Sequence, residues 1–138
     1  MGWEKLRGKN GMIPSQMLKG TLEGCILKVI GRSETYGYEI TQQLRQYGFS
    51  EIAEGTIYPL LLRLEKNGLI SAQYRQSALG PKRKYFSLTD KGIEELRCFS
   101  KSWMELENAV NQVMNSDRPS PPAPGSRTEE IRGGNRDE

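Results

Sequence analysis

The spacing of apolar residues in this chain changes period once, and that change restricts the folds open to it. Leu22, Cys25, Ile26, Val29 and Ile30 recur at i, i+3, i+4, i+7 and i+8, the pattern of a helix with one buried face. Gly31 suits a stop. Tyr36, Ile40, Leu44 and Tyr47 make a second helical stripe closed by Gly48, and Ile57, Leu60, Leu61 and Leu64 make a third, ended by Asn67-Gly68. After Gly68 the period falls to two. Ile70, Ala72 and Tyr74 alternate with polar residues, and Lys84, Phe86 and Leu88 do so in part. Ser77-Ala78-Leu79-Gly80-Pro81 lies between and carries turn chemistry, so Ile70 to Gln76 and Lys82 to Leu88 pair as a β-hairpin. Thr89 is placed to cap a long helix reaching about Asn115, with Asp90 in its first turn.

Pro59 constrains the third helix, because proline removes an amide and crowds the carbonyl four residues back. Either the helix begins near Thr56, leaving Pro59 in its first turn, or it is distorted there. Gly55, four residues before, offers the least obstruction.

At 138 residues the chain has room for one domain. With 36% hydrophobic and 27% charged residues, its composition is that of a soluble globular protein. No apolar run approaches the roughly 18 residues of a membrane span. Met1-Gly2-Trp3-Glu4-Lys5 lacks the apolar stretch of a secretory signal, so a cytoplasmic location is expected. The chain has no histidine, which excludes imidazole bases, His-dependent triads and most zinc sites. Cys25 and Cys98 lie far apart within apolar helical patterns and are read as buried free thiols. No nucleophile–base pair, metal site or cofactor site can be assembled, and an enzyme is not expected. Residues 117–138 hold four arginines and five acids, which leaves the rest of the chain at +4 out of a total of +3. That surplus suits a polyanionic partner. Four of the six residues 119–124 are proline, so 116–138 is expected to be a disordered tail, and 1–13 a flexible arm.

Three short helices and a basic hairpin, in that order, describe a winged helix-turn-helix over 14–90, followed by a dimerisation helix over 91–115: a mainly α fold with a small β-hairpin. In such a fold the third helix enters the major groove of DNA and the hairpin reaches the adjacent backbone or minor groove. Projected at 100° per residue, the face opposite Ile57, Leu60, Leu61 and Leu64 carries Gly55, Thr56, Pro59, Leu62, Arg63 and Lys66, with Tyr58 on the flank and Glu65 beside it. Hydroxyl, guanidinium and ammonium donors there match phosphates and base edges, and Leu62 matches a thymine methyl. Lys82-Arg83-Lys84 after Gly80-Pro81 places three cations on the hairpin tip, with Arg75 on the facing strand. A winged-helix module that binds protein is the alternative; it would show an apolar outer face on the third helix, of which only Leu62 gives a hint.

Five strings resemble the PadR family of transcriptional regulators. They are Leu18-Lys19-Gly20-Thr21-Leu22-Glu23-Gly24, Tyr36-Gly37-Tyr38-Glu39-Ile40, Glu54-Gly55-Thr56-Ile57-Tyr58-Pro59-Leu60, Arg63-Leu64-Glu65-Lys66-Asn67-Gly68-Leu69-Ile70, and Gly80-Pro81 through Gly92. In order and spacing they cover about Pro14 to Met114. The resemblance implies a homodimeric repressor that binds operator DNA and releases it on binding a small molecule. By position, Thr56, Tyr58 and Arg63 would lie on the reading helix, Lys82, Arg83 and Lys84 on the wing, and Lys19 and Tyr36 against phosphates. Many family members have serine where this chain has Ala53, so a helix cap worth roughly 1 kcal/mol is missing.

Phe99, Trp103, Leu106, Val110 and Val113 recur at intervals of 4, 3, 4 and 3, a heptad-like seam suited to pairing two copies across a two-fold axis. Ile93 and Leu96 extend it toward the domain. Ile13-Pro14-Ser15-Gln16-Met17-Leu18 and Lys101-Ser102-Trp103 resemble the lactococcal multidrug-responsive branch of the family. That resemblance implies Trp103 as an effector contact, with flat aromatic compounds as ligands and phenolic acids next.

Overall fold

The computed structural model describes residues 13–117. Of the expected arm only Ile13, and of the expected tail only Ser116 and Asp117, fall within this range; the rest of both lies outside the described residues. The elements are α1 (Ser15–Leu18), α2 (Leu22–Arg32), β1 (Thr35–Tyr36), α3 (Gly37–Gln46), α4 (Glu54–Lys66), β2 (Ile70–Arg75), β3 (Arg83–Leu88) and α5 (Asp90–Met114). The strands form one antiparallel sheet in the order β1-β3-β2. This is the winged helix-turn-helix with a long C-terminal helix that the change of period predicts, with two short additions, α1 and β1.

The core is built from the three stripes. Ile26, Leu27 and Ile30 of α2, Ile40 and Leu44 of α3, and Ile57, Leu61 and Leu64 of α4 meet Ile70 and Phe86 of the sheet. Gly48 and Gly68 take positive φ, 122° and 76°, where residues with a Cβ are strained. Each ends its helix in the same way. Gly48 N–H donates to Arg45 O and Phe49 N–H to Leu44 O, while Gly68 N–H donates to Glu65 O and Leu69 N–H to Leu64 O, the paired bonds of a Schellman motif.

Four expectations are corrected. Gly31 does not stop α2, which continues to Arg32. A Cβ on Gly31 would lie 3.0 Å from the Leu88 side chain, so this glycine permits close packing on β3. Pro59 is the sixth residue of α4, not part of its first turn. Tyr47 is 64% exposed; its hydroxyl accepts from Arg32 Nη1 at 2.6 Å, and Phe49 packs against the core instead. Cys25 is only half-covered and Cys98 is exposed. Burial raises the Cys25 thiol above its ordinary pKa. Cys98 lies a third of a turn from Phe99, off the face of α5 that meets the domain.

That face is set by glycine. Thr89 caps α5 as its sequence suggests: its hydroxyl donates to Gly68 O at 2.6 Å and accepts from Gly92 N–H at 3.0 Å. Gly92 is buried where a Cβ would overlap the Leu69 carbonyl oxygen. Farther along, Leu96 packs against the core, and Phe99 lies over Gly24 of α2, where its ring occupies the space a Cβ would take. Phe99, read as part of the pairing seam, thus also packs on its own domain. Two compact units divide the chain between Leu106 and Glu107; the described part of the second is the end of α5 and the residues after it.

Candidate nucleic-acid interface

α4 presents the outer face that its amphipathic spacing dictates. Ile57, Leu61 and Leu64 are buried, while Thr56, Tyr58, Leu62, Arg63 and Lys66 are exposed. Ala53, at the N-cap, makes no side-chain cap bond. Both edges of this face are tied to neighbouring elements. Arg63 is turned toward α2, where its Nε and Nη2 both donate to Glu23 Oε2, the former at 2.7 Å. On the opposite edge, Glu65 holds Lys84 of β3 at 2.9 Å.

Strand alternation explains why Lys82, Arg83 and Lys84 do not form one cationic tip. Phe86 of β3 is buried, so Lys84, two residues away, shares its side of the sheet and meets α4. Its ammonium also lies 6.0 Å from the Tyr74 ring centroid and 5.6 Å from that of Phe86. Arg83 and Tyr85 occupy the other side. There Arg83 stacks over Tyr36 at 4.6 Å and donates to its hydroxyl at 3.2 Å. Tyr36 packs on Tyr85 with centroids 5.3 Å apart, and Arg75 covers Tyr85 at 4.8 Å while pairing with Glu34. Lys82 precedes the strand and is exposed. Lys19, Lys66 and Lys82 have no ion pair among the described residues, so their charge faces solvent. Lys19 sits at the C-terminal end of α1, and Tyr36 is the N-cap of α3.

The sequence reading missed two aromatics. Tyr38, in the first turn of α3, is 56% exposed and with Tyr58 lines a cleft of about 430 Å³ between α3 and α4. Tyr74 stands on the wing beside Lys84. The alternation that buries Ile70 and half-buries Ala72 also places Tyr74 on the α4 side, and that signal was present in the sequence. Glu23 and Glu34 could not be assigned as partners, because they lie 40 and 41 residues from Arg63 and Arg75.

The Lys84–Glu65 pair fixes the wing strand against α4. The hydrogen bond that Lys84 donates to the Glu65 carboxylate raises the Lys84 pKa above the ordinary lysine value, and burial opposes the shift. A raised folded pKa means that the stabilisation is fully present below the unfolded lysine pKa and is lost as pH rises through the folded value. Lys84→Met is therefore expected to lose about 1 kcal/mol at neutral pH. In thermal melts the gap to wild type should stay constant from pH 7 to 9 and close at higher pH; a gap independent of pH throughout would show that the charge contributes nothing.

The family model for the transcriptional regulator PadR-like family matches residues 26–98. The crystal structure of a PadR-like transcriptional regulator from Bacillus cereus is similar, with 50% identity over 74% of this chain and 99% of that one, and a TM-score of 0.68. A Streptococcus transcriptional regulator is 51% identical over 72% of this chain and 98% of its own, with a TM-score of 0.66. An uncharacterised protein of Lysinibacillus sphaericus is 35% identical over 105 residues, 75% of this chain and 96% of that protein.

Proposed function

Because this chain belongs to the PadR-like family of transcriptional regulators, a family of regulators and not of enzymes, we propose that it is a cytoplasmic homodimeric repressor that binds operator DNA and leaves it on binding a small molecule. The observation that carries the reading is the exposed face of α4 bearing Thr56, Tyr58, Leu62 and Lys66, flanked by a wing whose tip carries Lys82, a cation with no ion pair among the described residues. Tyr58 and Thr56 offer hydroxyls to base edges, and Lys66, Lys82 and Lys19 offer charge to phosphates. Arg63 reaches a phosphate by leaving Glu23, an exchange between two anions at an exposed position. Arg83, Lys84 and Tyr36 act mainly by holding the wing and the start of α3 in place.

Dimerisation follows from α5. Trp103, Leu106, Val110 and Val113 are all more than 40% exposed, and their heptad-like spacing suits a second copy. An effector, flat and aromatic or phenolic, inserts at Trp103 and changes the distance between the two reading helices. It weakens DNA binding only as far as it prefers the other spacing.

The test is fluorescence anisotropy with duplex DNA from upstream of the protein's own gene. With roughly 6–10 phosphates contacted per dimer, affinity falls by about 10³–10⁵ between 50 and 200 mM salt. Lys82→Ala is expected to weaken all duplexes alike and to lower the salt slope by about 1 for each phosphate contact removed. Tyr58→Ala changes preference among sequences. An unchanged slope in the Lys82 variant removes the wing tip from the interface.

A further inference from the structure

Between its two tethered edges, α4 points outward with residues the fold does not need. Gly55, Pro59, Leu62 and Lys66 fall within a sector of roughly 60° at 100° per residue. Neither its φ nor Pro59 four residues on requires a glycine at 55: it is not among the glycines of positive φ, and a Cβ there would meet nothing within 4 Å, the Pro59 ring included. Alanine would be the better helix former. Pro59 is exposed in the interior of the helix, where its missing amide deprives the Gly55 carbonyl of its helical donor. Leu62 is 44% exposed. Each residue is a poor choice for the helix or for its contact with water, and the three lie in one line. Lys66, at the end of the line, is the only charge on it.

We infer that this strip reads thymine. The C5-methyl groups of thymines in the major groove pack against Leu62 and the Pro59 ring, and the bare Gly55 lets the start of the helix close on the duplex. The inference rests on the proposal that α4 enters the major groove, and it adds which bases are selected and by what chemistry. Of the four bases only thymine shows an apolar group in that groove. A protein partner would need a wider apolar surface than one leucine and one proline bounded by the Tyr58 hydroxyl, Thr56 and Lys66. Lys66 on the same line, with no ion pair among the described residues, favours a polyanion.

Deoxyuridine isolates the claim, because it keeps the base pair and the O4 acceptor and lacks only the methyl. The full-length protein is first used to select binding sites from a random duplex pool, and thymines fixed in each half-site are then replaced by deoxyuridine one at a time. Wild type is expected to lose roughly fourfold in affinity for each contacted methyl. Leu62→Ala should bind the thymine and uracil duplexes equally at the most sensitive position while keeping the wild-type salt slope, and Pro59→Ala should flatten the response at a neighbouring position. Both side chains are exposed, so both variants keep the core. Equal binding of thymine and uracil duplexes by wild type overturns the inference and leaves DNA binding standing. Binding to no duplex, even at low salt, overturns the proposed function with it.

Discussion

Gly92→Ala is expected to destabilise the domain more than any other single-methyl change in it. The new Cβ would fall on the carbonyl oxygen of Leu69, a backbone atom that cannot rotate aside. Relief requires moving either the start of α5 or the segment joining α4 to β2. Leu69 is fixed from both sides: its N–H donates to Leu64 O in the Schellman turn, and its carbonyl accepts from Thr89 N–H at 3.2 Å. Moving α5 breaks the Thr89 cap, lifts Leu96 from the core and moves Phe99 off Gly24. Overpacking costs 1–3 kcal/mol where side chains can adjust and more where backbone must move, so a loss of about 4 kcal/mol is expected. For a domain of this size that lowers the melting temperature by well over 10 °C. Gly24→Ala is the informative comparison. Its Cβ meets the ring of Phe99, a side chain that can swing away, and the expected loss is about half as large. A melting temperature for Gly92→Ala within about 2 °C of wild type would show that α5 does not sit on Leu69 as described.

Leu106→Asp combined with Val110→Asp is expected to separate the proposed dimer without unfolding the domain. Neither side chain belongs to the core, with exposures of 52% and 47%, so circular dichroism should be unchanged. Burying two carboxylates in an apolar seam costs far more than the seam gains from the remaining residues. A monomer reads only one half-site and loses the effective concentration that the partner supplies, so duplex affinity should fall by about 10²–10⁴. Sedimentation of the variant alone and an anisotropy titration with DNA check the two parts separately. A monomeric variant that still binds with wild-type affinity would mean that pairing through α5 contributes nothing to recognition.

What the sequence made legible follows from how far apart the determinants lie. The stripes on α2, α3 and α4 are local, and Ile26, Ile40, Ile57 and Leu61 go where periodicity sends them. The Gly48 and Gly68 stops are local as well, as is the Thr89 cap. Tyr47 failed because a stripe does not distinguish the last buried turn from the first exposed one, and the chain fills that position with Phe49 after the turn. β1, two residues long, leaves no periodic trace. Within the candidate site, the exposed face of α4 was legible by projection alone. The partners of its charges were not: Arg63 meets Glu23 across 40 residues, and composition gives no hint of that pairing. The cationic triplet was misread for a simpler reason. Consecutive strand residues point to opposite faces, so Arg83 and Lys84 serve different sides of the sheet, one on Tyr36 and the other on Glu65, and of the three only Lys82 has no such contact among the described residues. Phe99 satisfied the heptad spacing and also packs on its own domain, because Gly24 leaves a hollow for its ring.

Two copies of this chain are proposed to place their α4 helices and wing tips on one duplex. Sedimentation velocity of the full-length protein, alone and mixed with labelled duplex at low ionic strength, measures this directly. The expected result is a dimer in the absence of DNA and a complex of two chains per duplex that dissociates as salt is raised. A monomer that leaves the duplex sedimenting as free DNA would contradict the claim.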